Sequence, residues 1–503
     1  MAVFVGCSDP GSNRENHTNA SRPNILFIFT DDQTYTAVHA LGNSEIQTPN
    51  LDRLVQGGTT FTHAYNMGAW NGAVCVASRA MLISGRSVWR ANEFRKHWIN
   101  GDSLDRTWGQ LMAQKGYDTY MTGKWHVDAA AGAVFQKVRN IRPGMPGDAW
   151  NRRNRVKKNE NITDAKTVDP PNIMPVGYNR PVDENDSSWS PSNPRFGGFW
   201  EGGKHWSEVL KDDAIDFIHQ AKTSENPFFM YLAFNAPHDP RQSPEAFIKK
   251  YPLDKISLPE SWMPEYPWQQ SMGNGPTLRD EALAPFPRTP YATKKHIQEY
   301  YAIITHLDQQ IGLILDALEA SGKRDNTYIF FTADHGLAMG RHGLLGKQNL
   351  YDHSIRVPLV MTGPDIPKGK KLDTDVYLQD IMATSLELAG VKKPGYVEFN
   401  SFLGLAKGLS DKSHYKAIYG GYIDLQRMIR KDGYKLVLYP RAKKQLLFDL
   451  NNDPDEMQNL ADNPDYQSKV EELFNSLIEL QKQMNDTLDL KSYYASIGQA
   501  GDY

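Results

Sequence analysis

Cysteine is scarce in this sequence, since only Cys7 and Cys75 occur among 503 residues. Small secreted scaffolds that depend on disulfide bonds contain many more cysteines, so the chain cannot rely on such a framework for its stability. One bridge between Cys7 and Cys75 would tie a polar N-terminal stretch to the remainder of the protein. The scarcity favours instead a separate role for each of the two residues.

An excess of charge of one sign is also absent. Lys and Arg total 56 and Asp and Glu total 59, which leaves a formal net charge of −3. Proteins that hold nucleic acid or anionic membranes through their overall field carry a strong basic excess. The balance therefore predicts no nucleic acid partner, and it requires any anion to be bound by a local group of residues.

Long hydrophobic runs are missing as well. No apolar stretch approaches the roughly 20 residues that a membrane-spanning helix needs, so we expect no transmembrane segment. The sequence Val-Phe-Val-Gly-Cys at positions 3–7 resembles the end of a bacterial lipoprotein signal. The basic start and most of the apolar region of such a signal are missing, so a chance match is the alternative. We expect an extracytoplasmic protein, either periplasmic or lipid-anchored at the cell surface through Cys7.

Four short, β-rich apolar segments each end in polar residues that can bind a metal or move protons. The segments are residues 24–30, 117–121, 228–234 and 327–332, and the polar residues after them are Asp31 and Asp32, Lys124 and His126, His238, and Asp334 and His335. Nearly continuous apolar strands are buried on both faces, which indicates a mostly parallel sheet. Predicted helices at 48–54, 205–221 and 293–321 lie between them. We therefore predict an α/β fold in which helices sandwich a large, mostly parallel sheet.

The C-terminal part follows another pattern. From about residue 413, short strands alternate with turn signals, and an amphipathic helix follows with apolar residues from Val470 to Met484 near one face. This predicts a small antiparallel sheet carrying one helix. The chain is longer than the roughly 250–300 residues at which a single core stops growing. We divide it into a signal remnant or linker (1–22), a catalytic α/β domain (23–400) and a small C-terminal α+β subdomain (401–503).

The polar residues at the strand ends are expected to form one site, because ligands bind beyond the carboxyl ends of strands in such sheets. Asp31, Asp32 and Asp334 would bring three carboxylates together, and that charge density is costly unless a cation lies among them. Oxygen ligands favour calcium, whereas His335 adds a nitrogen that calcium does not favour. The sequence predicts one bound Ca²⁺.

Residues 75–79 read Cys-Val-Ala-Ser-Arg, and Gly85-Arg86 follows after a stretch of helical character. This segment resembles the signature of the type I sulfatases of the alkaline phosphatase superfamily: Cys or Ser, any residue, Pro or Ala, Ser, Arg, and then Gly-Arg. Ala77 occupies the position where Pro is more common. Further segments resemble successive motifs of that family over nearly the whole chain, namely residues 23–32, 48–52, 123–126, 237–238, 334–336, 346–352 and 447–456.

The resemblance implies a mechanism built on Cys75. A maturation enzyme oxidises the cysteine of this family to formylglycine (3-oxoalanine), whose hydrated form attacks sulfur and later expels sulfate from a covalent ester. By the same resemblance, residue 75 would join Asp31, Asp32 and Asp334 around the metal ion, and His335 would either bind the ion as well or only contact the sulfate.

The remaining family positions imply further roles. Arg79, Lys124 and Lys347 match residues that compensate the negative charge of the sulfate oxygens. His126 matches the residue that contacts the formylglycine hydroxyl, and His238 matches the one near the leaving oxygen, a candidate general acid.

Three functions from different classes remain open. The first is hydrolysis of sulfate esters, of exo type, on a sulfated carbohydrate such as an algal polysaccharide or a glycosaminoglycan oligosaccharide. The second is a phosphodiesterase or phosphonate monoester hydrolase of the same superfamily, and the third is a sulfated-glycan binding protein whose Cys75 is never converted. Candidate contacts to the sugar or to a uronate carboxylate are His205, Arg241 and Arg288, and for each of them a packing role is the alternative.

Overall fold

Strands and helices alternate through most of the chain in the computed structural model, which describes residues 22–147 and 177–493. Cys7 lies outside the described residues. The strands are β1 (Asn24–Thr30), β2 (Thr59–Tyr65), β3 (Gly68–Ala69), β4 (Asp118–Lys124), β5 (Lys137–Arg142), β6 (Trp200–Glu201), β7 (Lys204–His205), β8 (Phe228–Ala233), β9 (Thr327–Ala333), β10 (Arg356–Thr362), β11 (Lys370–Leu372), β12 (Val376–Tyr377), β13 (Ile418–Tyr422), β14 (Gln426–Lys431), β15 (Tyr434–Tyr439) and β16 (Lys444–Asp449).

The helices cover the sheet and differ greatly in length. They are α1 (Pro49–Gly57), α2 (Val74–Ser84), α3 (Val88–Ile99), α4 (Trp108–Gln114), α5 (Ala131–Val134), α6 (Trp206–Lys222), α7 (Glu245–Ile248), α8 (Pro290–Ala320), α9 (Asp352–Ile355), α10 (Asp380–Leu388), α11 (Leu403–Ala406) and α12 (Gln467–Met484). In the two described ranges, no helix is both long and apolar enough to cross a membrane.

A nine-stranded sheet forms the centre of the molecule, in the order β11-β2-β10-β9-β1-β8-β4-β5, with β12 also paired to β2. The run from β9 to β5 is parallel throughout. Strand β10 is antiparallel to both of its neighbours, β9 and β2. The predicted α/β fold with a large, mostly parallel sheet is therefore confirmed.

Strand β1 is buried along its whole length because each of its faces contributes to a different core. Ile25, Phe27 and Phe29 belong to the core on one side of the sheet, and Leu26 and Ile28 belong to the core on the other side. Full burial of one such side chain contributes roughly 1.5–3 kcal/mol. This two-sided burial explains the continuous apolar pattern of the strand, and it confirms the predicted layers of helices on both faces.

A second, five-stranded sheet has the order β16-β15-β14-β13-β3. Strands β13 to β16 are antiparallel, and the buried face of α12 packs against them, as the sequence predicted. Strand β3 was not predicted, and it pairs in parallel with β13 from a position far earlier in the chain. The small sheet thus takes one strand from residues 23–400, while the proposed boundary near residue 400 stays a prediction.

The ends of four parallel strands converge on one edge of the large sheet. Asp31 follows β1, Lys124 ends β4, His238 follows β8 and Asp334 follows β9. Helix α2 begins at Val74, so the residue after it, Cys75, lies in the first helical turn. The topology therefore determines which side chains can meet at this edge.

Candidate active site

Three carboxylates meet where β1 and β9 end. Asp31, Asp32 and Asp334 are completely buried. The backbone of Asp32 adopts a left-handed conformation with φ of 69°, and its N–H donates to Asp334 Oδ1 at 3.2 Å. Burial raises the pKa of Asp32 well above its ordinary value, and the negative charges of Asp31 and Asp334 add to that effect. The cluster therefore requires positive charge close by.

The orientation of His335 supports a bound cation. Its Nδ1 lies 2.9 Å from the carbonyl oxygen of Gly336 and donates to it, which leaves Nε2 as the ring nitrogen available to a ligand. That Nε2 faces Asp32 Oδ1 at 3.2 Å and Asp334 Oδ1 at 3.5 Å. This Nε2 is buried without a hydrogen-bond partner among the described residues, and a cation between it and the two carboxylate oxygens would satisfy all three atoms. Asp31 Oδ1 is also buried without a hydrogen-bond partner, so the residues present fit a metal ion.

A set of ligand atoms lies close enough to share one ion. One atom from each of Asp31, Cys75, Asp334 and His335 falls within 4.8 Å of all the others, and these side chains are all buried. The mixture of carboxylate oxygens with one imidazole nitrogen is compatible with several divalent metals. The geometry therefore supports a metal site and does not by itself identify the ion.

Three cationic side chains pair with the three carboxylates. Lys124 Nζ contacts Asp31 Oδ2, and Lys347 Nζ lies 2.9 and 3.0 Å from the two oxygens of Asp32. Arg79 then completes the set by donating from Nε to Asp334 Oδ2 at 3.0 Å and from Nη1 to the carbonyl oxygen of Lys124 at 2.8 Å. Three positive charges balance three negative ones, so a divalent ion would make the site electropositive and suited to an anion.

Cys75 lies beside this charged cluster with 2% of its surface exposed. Its Sγ is 3.3 Å from His126 Nδ1. Burial opposes ionisation, but the positive charges of Lys124 and Lys347 outweigh it and lower the pKa of the Cys75 thiol. The positive end of the α2 dipole also favours negative charge at this position. Residue 75 is therefore placed where an anionic side chain or ligand is stabilised.

His126 reaches Cys75 from the end of β4. Its backbone is left-handed, with φ of 52°, which turns the side chain toward α2. Burial and the charges of Lys124 and Arg79 lower the pKa of His126 to about 3, so the ring is neutral. Gly144 packs against this ring so closely that a Cβ at that position would lie 2.3 Å from His126 Cε1.

His238 approaches the cluster from the loop after β8. Its Nδ1 lies 2.6 Å from the carbonyl oxygen of Asp239 and donates to it. Its Nε2 lies 3.8 Å from Asp32 Oδ2. Burial and the charges of Lys347 and Lys124 hold the pKa of His238 well below its ordinary value. The ring is therefore neutral and turns an unprotonated Nε2 toward the site.

Comparison with known proteins identifies the family to which this chain belongs. Residues 23–391 match the family described as Sulfatase, and residues 340–483 match the C-terminal region of the N-sulphoglucosamine sulphohydrolase family. The chain belongs to the sulfatase family. This sulfatase is a sulfuric ester hydrolase, which confirms the family and the enzyme class that the sequence predicted.

Relatives of the sulfatase include enzymes acting on different sulfate esters. An arylsulfatase of Clostridium perfringens is 30% identical and the match covers 91% of this chain and 94% of that one. An N-acetylglucosamine-6-O-sulfatase of Bacteroides thetaiotaomicron is 26% identical, with 96% and 89% covered. A structure of a protein bound to its substrate D-glucosamine-2-N,6-O-disulfate superimposes with a TM-score of 0.69 at 21% identity, covering 93% and 99%.

The fold is shared beyond sulfate ester hydrolysis. The phosphonate monoester hydrolase of Agrobacterium radiobacter superimposes on the sulfatase with a TM-score of 0.69 at 21% identity, covering 92% of this chain and 96% of that one. At this identity the likeness establishes a common fold and nothing about the substrate.

The three residues predicted to contact the substrate lie in contacts within the sulfatase itself. His205 caps the start of α6 and is 1% exposed. Arg241 Nη1 lies 3.1 Å from His296 Nδ1, and Arg288 forms a buried ion pair with Glu281 through Nη2 at 2.5 Å. These contacts are those expected if the three residues have a packing role. Their role in substrate binding stays a prediction.

Sequence reasoning missed Arg279, which reaches the edge of the site from the segment between α7 and α8. Its Nη2 lies 3.4 Å from His238 Nε2. The segment has no periodic pattern and no family motif, so its sequence gave no signal for this particular residue.

Proposed function

We propose that this sulfatase removes sulfate from a carbohydrate by an exo-type reaction that uses a formylglycine derived from Cys75 and one calcium ion. The observation that carries the proposal is the position of Cys75, buried between Lys124 and His126 and beside the carboxylates of Asp31 and Asp334. After conversion, Cβ of residue 75 would be the aldehyde carbon, and oxygen would stand where the thiol sulfur is now.

When present, the formylglycine would supply the oxygen nucleophile, and calcium held by Asp31, Asp32, Asp334 and His335 would supply positive charge beside it. Lys124 and Lys347 point their ammonium groups toward the same space. Arg79 holds Asp334 and the backbone of Lys124, so it fixes both the carboxylate and the strand end that face the sulfate.

The two histidines are proposed to handle protons on different sides of the sulfate. His126 Nδ1 lies next to residue 75 and accepts a proton from the nucleophile side. His238 Nε2 is proposed to serve the leaving oxygen. A bound sulfate ester adds negative charge beside the His238 ring, which favours its protonated form and so offsets part of the effect of the neighbouring lysines.

Several lines support a carbohydrate substrate. Among the relatives are an ulvan-active sulfatase of Formosa agariphila, 26% identical over 98% of this chain, and the N-acetylglucosamine-6-O-sulfatase described above.

We further propose that a formylglycine-generating enzyme acts on Cys75 and that the protein works outside the cytoplasm. The lipid anchor at Cys7 remains a proposal that rests on the sequence at positions 3–7.

Hydrolysis of a phosphonate monoester or phosphodiester is the second candidate activity, favoured only by the structural likeness to the phosphonate monoester hydrolase. A phosphonate monoester and a phosphodiester each carry one negative charge at neutral pH, as a sulfate ester does, so a direct assay on both ester types must separate the two activities. Within the described residues the carboxylate clusters that could bind metal share Asp31 and so form one site. A third candidate, binding of sulfated glycans without catalysis, would apply where Cys75 is not converted.

The deciding experiment joins mass spectrometry with an assay. Protein produced together with a formylglycine-generating enzyme is digested, and the peptide containing residue 75 should lack the cysteine sulfur. The same sample should release inorganic sulfate from defined sulfated sugars, whereas Cys75→Ala should release none while keeping its melting temperature. An intact thiol in fully active protein would refute the proposed nucleophile.

A further inference from the structure

A second charged cluster lies beside the candidate active site, and we define it as the Asp-Arg-Asp cluster of Asp239, Arg279 and Asp280. Arg279 Nη1 contacts Asp239 Oδ2, and Arg279 Nη2 contacts Asp280 Oδ1. Both aspartates are buried, with 3% of each side chain exposed. Burial disfavours the charged guanidinium, but the two carboxylates outweigh it and raise the pKa of Arg279 well above its ordinary value.

This cluster is connected to the loop that precedes the nucleophile. Gln348 Nε2 donates to Asp280 Oδ2 at 2.6 Å and to the carbonyl oxygen of Gly72 at 3.0 Å. Gly72 is three residues before Cys75 in the sequence. On its other side the cluster reaches His238, through the 3.4 Å contact of Arg279 Nη2 with Nε2. A continuous row of polar contacts therefore runs from the proposed leaving-group side to the nucleophile loop.

Arg279 differs from the other arginine of the site in its accessibility. The side chain of Arg79 is completely buried, whereas 13% of the Arg279 side chain is exposed. A guanidinium carries five N–H groups, which is more than the contacts to Asp239, Asp280 and His238 use. The two carboxylates fix the plane of the guanidinium, so its remaining donors point in a defined direction. Arg279 can therefore meet a ligand that enters from solvent.

The charge of the cluster restricts what that ligand can be. The two carboxylates already compensate the positive charge of Arg279, and Lys347, 3.9 Å from Asp280 Oδ2, is itself paired with Asp32, so little uncompensated positive charge is left here for a carboxylate or a second sulfate. A neutral hydroxyl suits it better, since its oxygen accepts from the guanidinium and no further charge must be compensated.

We propose that Arg279 is a specificity-determining residue that binds a free hydroxyl on the sugar carbon next to the one carrying the sulfate. The proposal rests on the function proposed above, because it uses the site of Cys75 and His238. It commits the enzyme to substrates in which the position next to the sulfate is unsubstituted, and it disfavours a uronate carboxylate or a second sulfate there.

The test compares each monosulfated sugar with its deoxy analogue, which lacks only the neighbouring hydroxyl. In the wild-type protein the loss of this hydroxyl should lower kcat/KM about 10- to 100-fold, since a hydrogen bond to a charged group is lost. In Arg279→Met the same comparison should give a ratio near one. Both sugars keep an alkyl leaving group, so a disturbed His238 would slow them together and leave the ratio unchanged.

Three controls keep the outcomes distinct. Arg279→Lys retains the positive charge but not the planar guanidinium. It should therefore show only part of the wild-type discrimination between the sugar and its deoxy analogue. Arg53→Met removes a surface arginine that also pairs with an aspartate, Asp316, and it should keep the wild-type ratio. Melting temperatures verify that each variant is folded.

The results separate the two proposals. If wild-type protein hydrolyses no sulfate ester, the proposed function fails. If it hydrolyses sugar sulfates but Arg279→Met discriminates against the deoxy analogue as strongly as wild type, the role of Arg279 is refuted. A wild-type enzyme that prefers a sugar with a carboxylate or second sulfate at the neighbouring position would also refute it.

Discussion

Single residues at the strand ends were the part of the site best indicated by the sequence. Asp31, Lys124, His238 and Asp334 each follow or end a continuous apolar strand, and parallel strands bring such residues to one edge. The structure brings them together as expected. Their chemical roles stay predictions, since position alone does not decide which group moves a proton.

Arg279 shows why other residues could not be predicted. It lies in a segment without regular structure, and its contact to His238 depends on how that segment folds back over the site. No periodicity encodes such a path, whereas a strand end is fixed by the sheet itself. The orientation of His335 was equally inaccessible, because it depends on one hydrogen bond to the Gly336 carbonyl.

Replacement of His238 should separate the two kinds of leaving group. A sugar alcohol is a poor leaving group and needs its proton, so His238→Ala should lower kcat on sugar sulfates by about 100- to 10,000-fold. A nitrophenyl sulfate needs little help, and its rate should fall less than about 10-fold. The exposed His219 on α6 supplies the control variant His219→Ala. Equal losses on both substrates would show that His238 is not the acid.

Among the elements, the loop after β5 is expected to hold His126 in place. Gly144→Ala would put a methyl group 2.3 Å from His126 Cε1, so the ring must move. Because a displacement of about 1 Å in a catalytic group can cost about 100-fold, kcat should fall by 10- to 100-fold with a nearly unchanged melting temperature. Gly147→Ala, in the same loop but with no atom of the described residues within 4 Å of an added Cβ, should retain wild-type activity. Full activity of Gly144→Ala would show that the exact position of the His126 ring does not matter.

The elements themselves were largely predictable where their pattern is local. Strands β1, β8 and β9 and helices α6 and α8 lie within a few residues of the predicted ranges. Strand β3 has only two residues, Gly68 and Ala69, and its pairing with β13 spans most of the chain. Neither hydrophobic periodicity nor turn chemistry signals a pairing of that kind.

For the whole molecule, a buried ion-pair group is expected to join the small sheet to α9, the helix that leads into β10 of the large sheet. Lys435 of β15 lies 2.8 Å from Asp352 Oδ1 and 2.7 Å from Glu456 Oε1, and its side chain is fully buried. Lys435→Met would leave two buried carboxylates without their cation, so the free energy of unfolding should fall by about 3–5 kcal/mol. Chemical denaturation measures this value. Lys431→Met breaks a partly exposed pair with Glu472 and a 3.5 Å contact with Ser476 Oγ, and it should cost no more than about 1 kcal/mol. A loss as small for Lys435→Met would contradict the structural role of the group.

Metal removal should affect stability as well as activity. An ion that binds only the folded protein stabilises it by about 2.7 kcal/mol at 100 times its Kd. Chelation should therefore lower the melting temperature and abolish hydrolysis, and calcium should restore both better than zinc. In Asp334→Asn, which lacks one proposed metal ligand, neither chelation nor added calcium should change the melting temperature, and calcium should not restore hydrolysis. Full turnover in a rigorously metal-free sample would refute the metal requirement.

The pairing of β3 with β13 also has a consequence for the time course of synthesis. Residue 75 follows β3 by only a few positions, whereas β13 is translated roughly 350 residues later. At about 5–20 residues per second, the ribosome needs tens of seconds to deliver that partner strand. Throughout this interval the segment around Cys75 belongs to an unfinished sheet, so the maturation enzyme proposed above would meet a thiol that the completed protein buries almost entirely.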